Sequence, residues 1–166
     1  YYNEAFKKLE VIVKSDLENF KANYYIAECY FLGKGTEKNY TLAFDHYSIA
    51  ASNKHLDSIY KVGYCYEFGL GTSKDEIQMI SRYTQAAKSG HNLSQYRLGL
   101  CYKNGFGVEK NISIAATYFL NSAKSGLVDA QREGAMCFEE LNQPTASATL
   151  YLAAAEQNDP YSCYKI

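Results

Sequence analysis

Three groups of residues in this 166-residue chain have the types and spacing to do chemistry. The first is Gly33-Lys34-Gly35-Thr36, with the glycines, the lysine and the hydroxyl of a phosphate-gripping loop. Such a loop needs G-x-x-x-x-G-K-[ST] after a strand, so that backbone N–H groups converge on an anion. Here Glu28 stands where the first glycine belongs, Gly35 follows Lys34, and the residues before it have a helical pattern. The run reads as a helix end and the turn after it. The second group is five cysteines with three histidines, His46, His55 and His91. A thiolate beside an imidazole would make a nucleophile, and clustered Cys and His would bind zinc. Neither pattern is met. There is no C-x-x-C or H-x-x-x-H, and His55 and His91 fall just after helical segments, where a surface turn is expected. The third group is the N-x-[ST] sequons Asn39-Tyr40-Thr41, Asn92-Leu93-Ser94 and Asn111-Ile112-Ser113. In a lumenal protein these accept glycans. Asn39 and Asn111, however, stand where an Asn or Asp caps a helix, and capping is the favoured reading.

The elements that position these residues are repeats. Gly63-Tyr64-Cys65-Tyr66-Glu67-Phe68-Gly69-Leu70-Gly71 returns 36 residues later as Gly99-Leu100-Cys101-Tyr102-Lys103-Asn104-Gly105-Phe106-Gly107. It is preceded, 36 residues earlier, by Ala27-Glu28-Cys29-Tyr30-Phe31-Leu32-Gly33-Lys34-Gly35. A fixed period of this length marks a solenoid of stacked supersecondary units. The same period explains the cysteines: Cys29, Cys65, Cys101 and Cys137 occupy one column, once per repeat. Adjacent packed helices lie roughly 8–10 Å apart, while a disulfide needs Cα atoms within about 7 Å. These thiols are therefore expected to be reduced and buried.

Within each repeat a first helix stops at a glycine, a Gly-x-Gly turn follows, and a second helix ends in alanines that allow close packing. The array divides into a leading helix at 1–21, repeats at 22–57, 58–93 and 94–129, a shortened repeat at 130–160, and the start of a further helix at 161–166. The fourth repeat lacks Gly-x-Gly; Pro144 fits the first turn of its second helix. The chain opens on Tyr1 and stops inside a helical pattern, so it is expected to be part of a longer solenoid. A net charge of −1 offers no electrostatic footprint for nucleic acid. No apolar run approaches the roughly 20 residues that cross a bilayer.

Ser94, Leu98, Gly99, Tyr102, Gly105, Gly107, Val108, Asn111, Ala115, Phe119, Ala123 and Gly126 follow the order of the Sel-1-like repeat, a relative of the tetratricopeptide repeat. Repeats one and two match nearly as well, with Thr36 and Thr72 replacing Val, Ala27 replacing Gly, and Met79 replacing Ala. The resemblance covers about 22–166 and implies an all-α, right-handed α-solenoid of antiparallel helix pairs. It also implies a non-catalytic adaptor without cofactor or metal. Family members regulate fungal chitin synthase, serve endoplasmic-reticulum-associated degradation, or act in bacterial virulence and signalling. The run Lys61 to Gly69 is similar to the fungal chitin synthase regulators.

In solenoids of this kind the first helices line the concave face. Counted from the Gly63 and Gly99 column, three columns vary in chemistry while the packing columns do not. They hold Tyr24, Tyr60, Tyr96 and Arg132; Glu28, Tyr64, Leu100 and Met136; and Phe31, Glu67, Lys103 and Glu139. Tyr, Met and Arg are favoured at interfaces. The expected partner is another protein, held as an extended peptide or a helix, with no nucleic acid and no membrane insertion by this stretch. For the Tyr24 column, packing between neighbouring helices is an equal alternative. Reduced cysteines favour the cytoplasm over the endoplasmic-reticulum lumen. An enzyme remains the competing class, without an acid, base or nucleophile set to support it.

Overall fold

The computed structural model describes residues 1–166 as helices joined by short turns. In order they are α1 (Tyr2–Ser15), α2 (Phe20–Leu32), α3 (Tyr40–Ser52), α4 (Leu56–Phe68), α5 (Glu76–Lys88), α6 (Asn92–Asn104), α7 (Ile112–Ala123), α8 (Val128–Glu140), α9 (Pro144–Ala155) and α10 (Pro160–Lys165). They form two compact units, Tyr1–Ala86 and Ala87–Ile166.

Local chemistry sets the helix boundaries. Gly33, Gly69 and Gly105 take left-handed φ values of 70°, 70° and 73°, and end α2, α4 and α6. Each returns its N–H to the carbonyl of Cys29, Cys65 or Cys101, which satisfies an orphan carbonyl of the last turn. At the other ends, the Asn19, Asn39, Asn111 and Asp159 side chains accept from the N–H three residues on. His55 and His91 are not surface-turn residues: they are half-buried and stand at the N-cap positions of α4 and α6. His91 Nδ1 accepts from the Ser94 N–H at 3.2 Å and lies 2.9 Å from Ser94 Oγ; His55 Nδ1 lies 2.8 Å from Ser58 Oγ.

Packing explains the small positions that recur between repeats. In the first unit, Ala27, Ala43, Tyr47, Ile59, Val62, Cys65 and Ala86 form a cluster shared by α2, α3, α4 and α5. A Cβ on Gly63 would lie 2.8 Å from the Tyr83 ring, so α4 can cross Tyr83 only with a bare backbone there. In the second unit a Cβ on Gly99 would lie 2.6 Å from the Phe119 ring. The second glycine of each Gly-x-Gly has a different task. Gly35 and Gly71 have φ of 78° and 74°, and a Cβ would fall 2.4 Å from the Tyr2 carbonyl oxygen and 2.0 Å from that of Tyr40. These turns press against the start of the preceding second helix.

Because Tyr2 meets Gly35 as Tyr40 meets Gly71, α1 is itself a second helix. The ring contacts agree: Phe6 meets Tyr30 edge-on at 5.3 Å, and Phe44 meets Tyr66 edge-on at 5.4 Å. In the shortened repeat, α8 ends at Glu140, Asn142 takes a left-handed φ of 56°, and α9 starts at Pro144. Ser147 Oγ ties α9 to the Ala135 carbonyl at 2.9 Å. Cys65, Cys101 and Cys137 are buried, Cys29 is half-buried and Cys163 exposed, all as free thiols.

Candidate functional face

In the first unit the variable columns of α2 and α4 meet in a continuous run of rings. Tyr24 lies 6.1 Å from Tyr47 and 4.8 Å from the His55 ring. Phe31 contacts Tyr40, Tyr47 and Tyr64 at 5.3, 6.2 and 6.3 Å. Tyr60 stacks on Tyr83 at 5.8 Å and approaches Tyr64 at 6.2 Å, and Tyr64 lies 4.6 Å from Phe68. Burial, and then the nearby Glu28 and Asp57 carboxylates, push the Tyr24 phenol up to about 12. It stays neutral at physiological pH.

The carboxylates on this face are already engaged. Glu28 Oε1 accepts from the hydroxyl of fully buried Tyr47 and, at 2.7 Å, from Lys61 Nζ. Lys61 also lies over the Phe31 and Tyr47 rings at 4.9 and 5.7 Å. Glu67 Oε2 accepts from Tyr83 Oη at 2.5 Å.

The second unit repeats the plan with altered chemistry. Tyr96 lies 5.8 Å from Phe119, and burial, then the Asp129 and Glu133 charges, raise its phenol. Phe119 has no hydroxyl, and the column that holds Glu67 and Glu139 elsewhere holds Lys103, which pairs with Glu133 at 2.6 Å. Leu100 packs on the cluster around Ala115 and Phe119, and Met136 on that around Ala135 and Leu150. Tyr151 Oη donates to Glu139 Oε2 at 2.9 Å, and Lys165 reaches Glu139 at 2.8 Å. Arg132 bonds Asp159 at 2.7 Å and Asp129 at 2.5 Å.

Sequence reasoning did not find Tyr47, Tyr83, Tyr151, Lys61 or Glu133 on this face. A signal for them was present: where the second-helix column changes from Tyr to Phe119, the first-helix acid changes to Lys103. Each candidate charge, Glu28, Glu67, Lys103 and Arg132, has an intramolecular partner.

Two acids of this region are held below their ordinary values, Glu139 by Lys165 and Tyr151, and Asp159. Asp159 Oδ2 accepts from the Ser162 N–H at 2.9 Å and hydroxyl at 2.7 Å, while Arg132 holds Oδ1. These bonds hold its carboxyl below the ordinary 3.8. A lowered folded-state pKa contributes stability that is present above the unfolded-state value and is lost as pH falls through the folded one. Acidification below about pH 4 should therefore release α10 before the rest of the second unit melts. Amide exchange at Ser162 and Cys163 measures this. Asp159→Ala, which removes the cap, should give fast exchange already at neutral pH and shrink the acid step to the part that the Lys165–Glu139 pair contributes; an acid step of undiminished size in that variant would refute the assignment.

The candidates for other chemistry lack the geometry. Gly33 and Lys34 direct their N–H groups back to Cys29 O, and a helix C-terminus is the negative end of its dipole, so the turn is no anion cradle. Burial raises the Cys65 and Cys137 thiols to about 12 and about 11, opposite to what a nucleophile needs. Asn39 and Asn111 cap α3 and α7. No helix is long and apolar enough to cross a membrane.

The fold and its turns match known proteins. A crystal structure of a protective antigen of uropathogenic Escherichia coli strains, displaying an SLR fold, is 25% identical with a TM-score of 0.90, over 99% of this chain and 36% of that one. A Sel1 repeat protein from Oxalobacter formigenes is 25% identical with a TM-score of 0.87, over 97% of this chain and 65% of that one. MamA, 15% identical with a TM-score of 0.63 over 98% of this chain, shares the fold. The chain thus spans 36% and 65% of the length of the first two. No curated protein matches by sequence. The model of the Sel1 repeat family matches residues 20–55, 56–91 and 92–127. With its helix pairs, left-handed glycine caps and bare crossing glycines, this all-α solenoid belongs to the Sel1 repeat family.

Proposed function

We propose that the chain is a non-catalytic scaffold that holds a peptide or helix of a partner protein on its first-helix columns. The Sel1 repeat fold is generally a protein-interaction scaffold, which supports the class. One observation carries the finer reading. The variable first-helix columns keep their charges internally paired while Tyr24, Tyr60 and Tyr64 stay half-buried, as do Leu100 and Met136. Binding then rests on ring and apolar contact, with specificity set by column identity. Within this class, the similarity of Lys61 to Gly69 to fungal chitin synthase regulators favours a regulatory subunit of a larger complex over a degradation adaptor.

Tyr64→Ser, Leu100→Gln and Met136→Gln combined should abolish capture of a partner identified by pull-down with the parent chain. Circular dichroism checks that the triple variant folds. Capture that survives in a folded triple variant sinks the reading. Since the face's charges are paired, parent affinity should change by less than about threefold between about 0.1 and 0.5 M salt.

A further inference from the structure

Asn104-Gly105 is the one Asn-Gly pair in the chain, and it stands where a helix ends. At the matching positions of the first two repeats, Leu32 and Phe68 precede the capping glycine. Only the third repeat puts a carboxamide there, and Asn104 is exposed. A carboxamide followed by glycine has a reaction of its own. The glycine nitrogen, once it has lost its proton, attacks the Asn Cγ, because no Cβ shields that nitrogen. A five-membered imide forms and ammonia leaves. Water then opens the ring to aspartate, or to isoaspartate, in which the main chain runs through the side-chain carbons. Water is the only co-reactant, and nothing is oxidised or reduced.

The α6 cap holds this reaction back. The Gly105 N–H donates to the Cys101 carbonyl at 2.8 Å, and the Phe106 N–H converges on the same oxygen at 3.0 Å. That bond retains the proton that must leave and aims the nitrogen along the helix instead of at Cγ. Asn104 is itself the last residue of α6, so the backbone rotation that ring closure needs is blocked while the helix holds. We propose that Asn104 is a gated modification site, which deamidates spontaneously when the α6 cap opens and is protected while the cap is closed. Helix ends fray before helix centres, so the gate is local. The product keeps the gate open. A carboxylate at residue 104 lies at the negative end of the α6 dipole, and isoaspartate adds a backbone carbon inside the ring that Gly105 closes onto Cys101. Each event leaves a lasting record of an opening, one residue from Lys103 of the first-helix columns. Asn142 and Asn158 are exposed too, but they precede Gln143 and Asp159, whose side chains crowd the attack.

The test holds the intact chain at neutral pH across a urea series, from folded to unfolded. Peptide mapping follows isoaspartate at residue 104, and amide exchange follows Gly105 in the same samples. The unfolded chain should react at Asn104 before Asn142 or Asn158, and the folded chain should react there at least about tenfold more slowly. Across the series, modification of Asn104 and exchange at Gly105 should rise in proportion, since both pass through the opened cap. Asn104→Gln should form no product in that peptide, folded or unfolded. Equal rates in the folded and unfolded chain, or modification indifferent to Gly105 exchange, would overturn the gate. An unfolded chain that reacts first at Asn142 or Asn158, or product that persists in Asn104→Gln, would overturn the site.

Discussion

Gly71→Ala should be among the most damaging single substitutions in the chain, costing roughly 3–5 kcal/mol. Two effects add. Gly71 has a φ of 74°, where an alanine is strained by about 1 kcal/mol. Its Cβ would also fall 2.0 Å from the Tyr40 carbonyl oxygen and 2.8 Å from the Thr41 nitrogen. Those are backbone atoms at the start of α3, so relief requires moving a helix, not rotating a side chain. Gly90 is the control. Its φ of 86° imposes the same left-handed strain, but a Cβ there meets nothing within 4 Å. Gly90→Ala should cost only about 1 kcal/mol. Denaturant melts of both variants, followed by circular dichroism, measure the difference. Equal costs would show that the close approach to Tyr40 does not matter.

Glu28→Leu should destabilise the first unit by about 2–3 kcal/mol, and adding Tyr47→Phe should recover more than half of the loss. Glu28 accepts from Tyr47 Oη, and the Tyr47 side chain is fully buried. Without the carboxylate, the hydroxyl is left unpaired in the core, which is costlier than having no hydroxyl. The third repeat already carries this pair: Leu100 stands in the Glu28 column and Phe119 in the Tyr47 column. The Lys61 pair contributes less, since both side chains are more than a fifth exposed. A double-mutant cycle by urea melts gives the coupling. Additive costs would show that the Tyr47–Glu28 bond contributes nothing.

The 36-residue period, the helical class and most helix ends were legible in the sequence, because each depends on near neighbours. Gly33, Gly69 and Gly105 end helices by left-handed φ, and Asn39 and Asn111 cap them through contacts within three residues. The histidines were harder. The pattern places His55 and His91 in turns, yet both stand at N-cap positions; His91 also caps through its side chain, its Nδ1 standing in for the carboxylate or amide oxygen that Asp159 or Asn19 supplies. Residue 1–21 periodicity showed a helix, but not that α1 is the second helix of a pair. That required the matching contacts Tyr2 to Gly35 and Phe6 to Tyr30.

The sequence alone determined the repeat, its register, its small-residue crossings and the columns that vary, since periodicity and local backbone preference act along the chain. Tertiary structure decided what those columns can do. Glu28 meets Lys61 from the next repeat and Tyr47 from its own second helix, and Lys103 meets Glu133 thirty residues on. Partners so far apart are chosen by how the helices stack and rotate, which no spacing along one helix encodes. Stacking likewise decided that Gly71 is a close contact as well as a turn, and that the charges of the columns are paired within the chain.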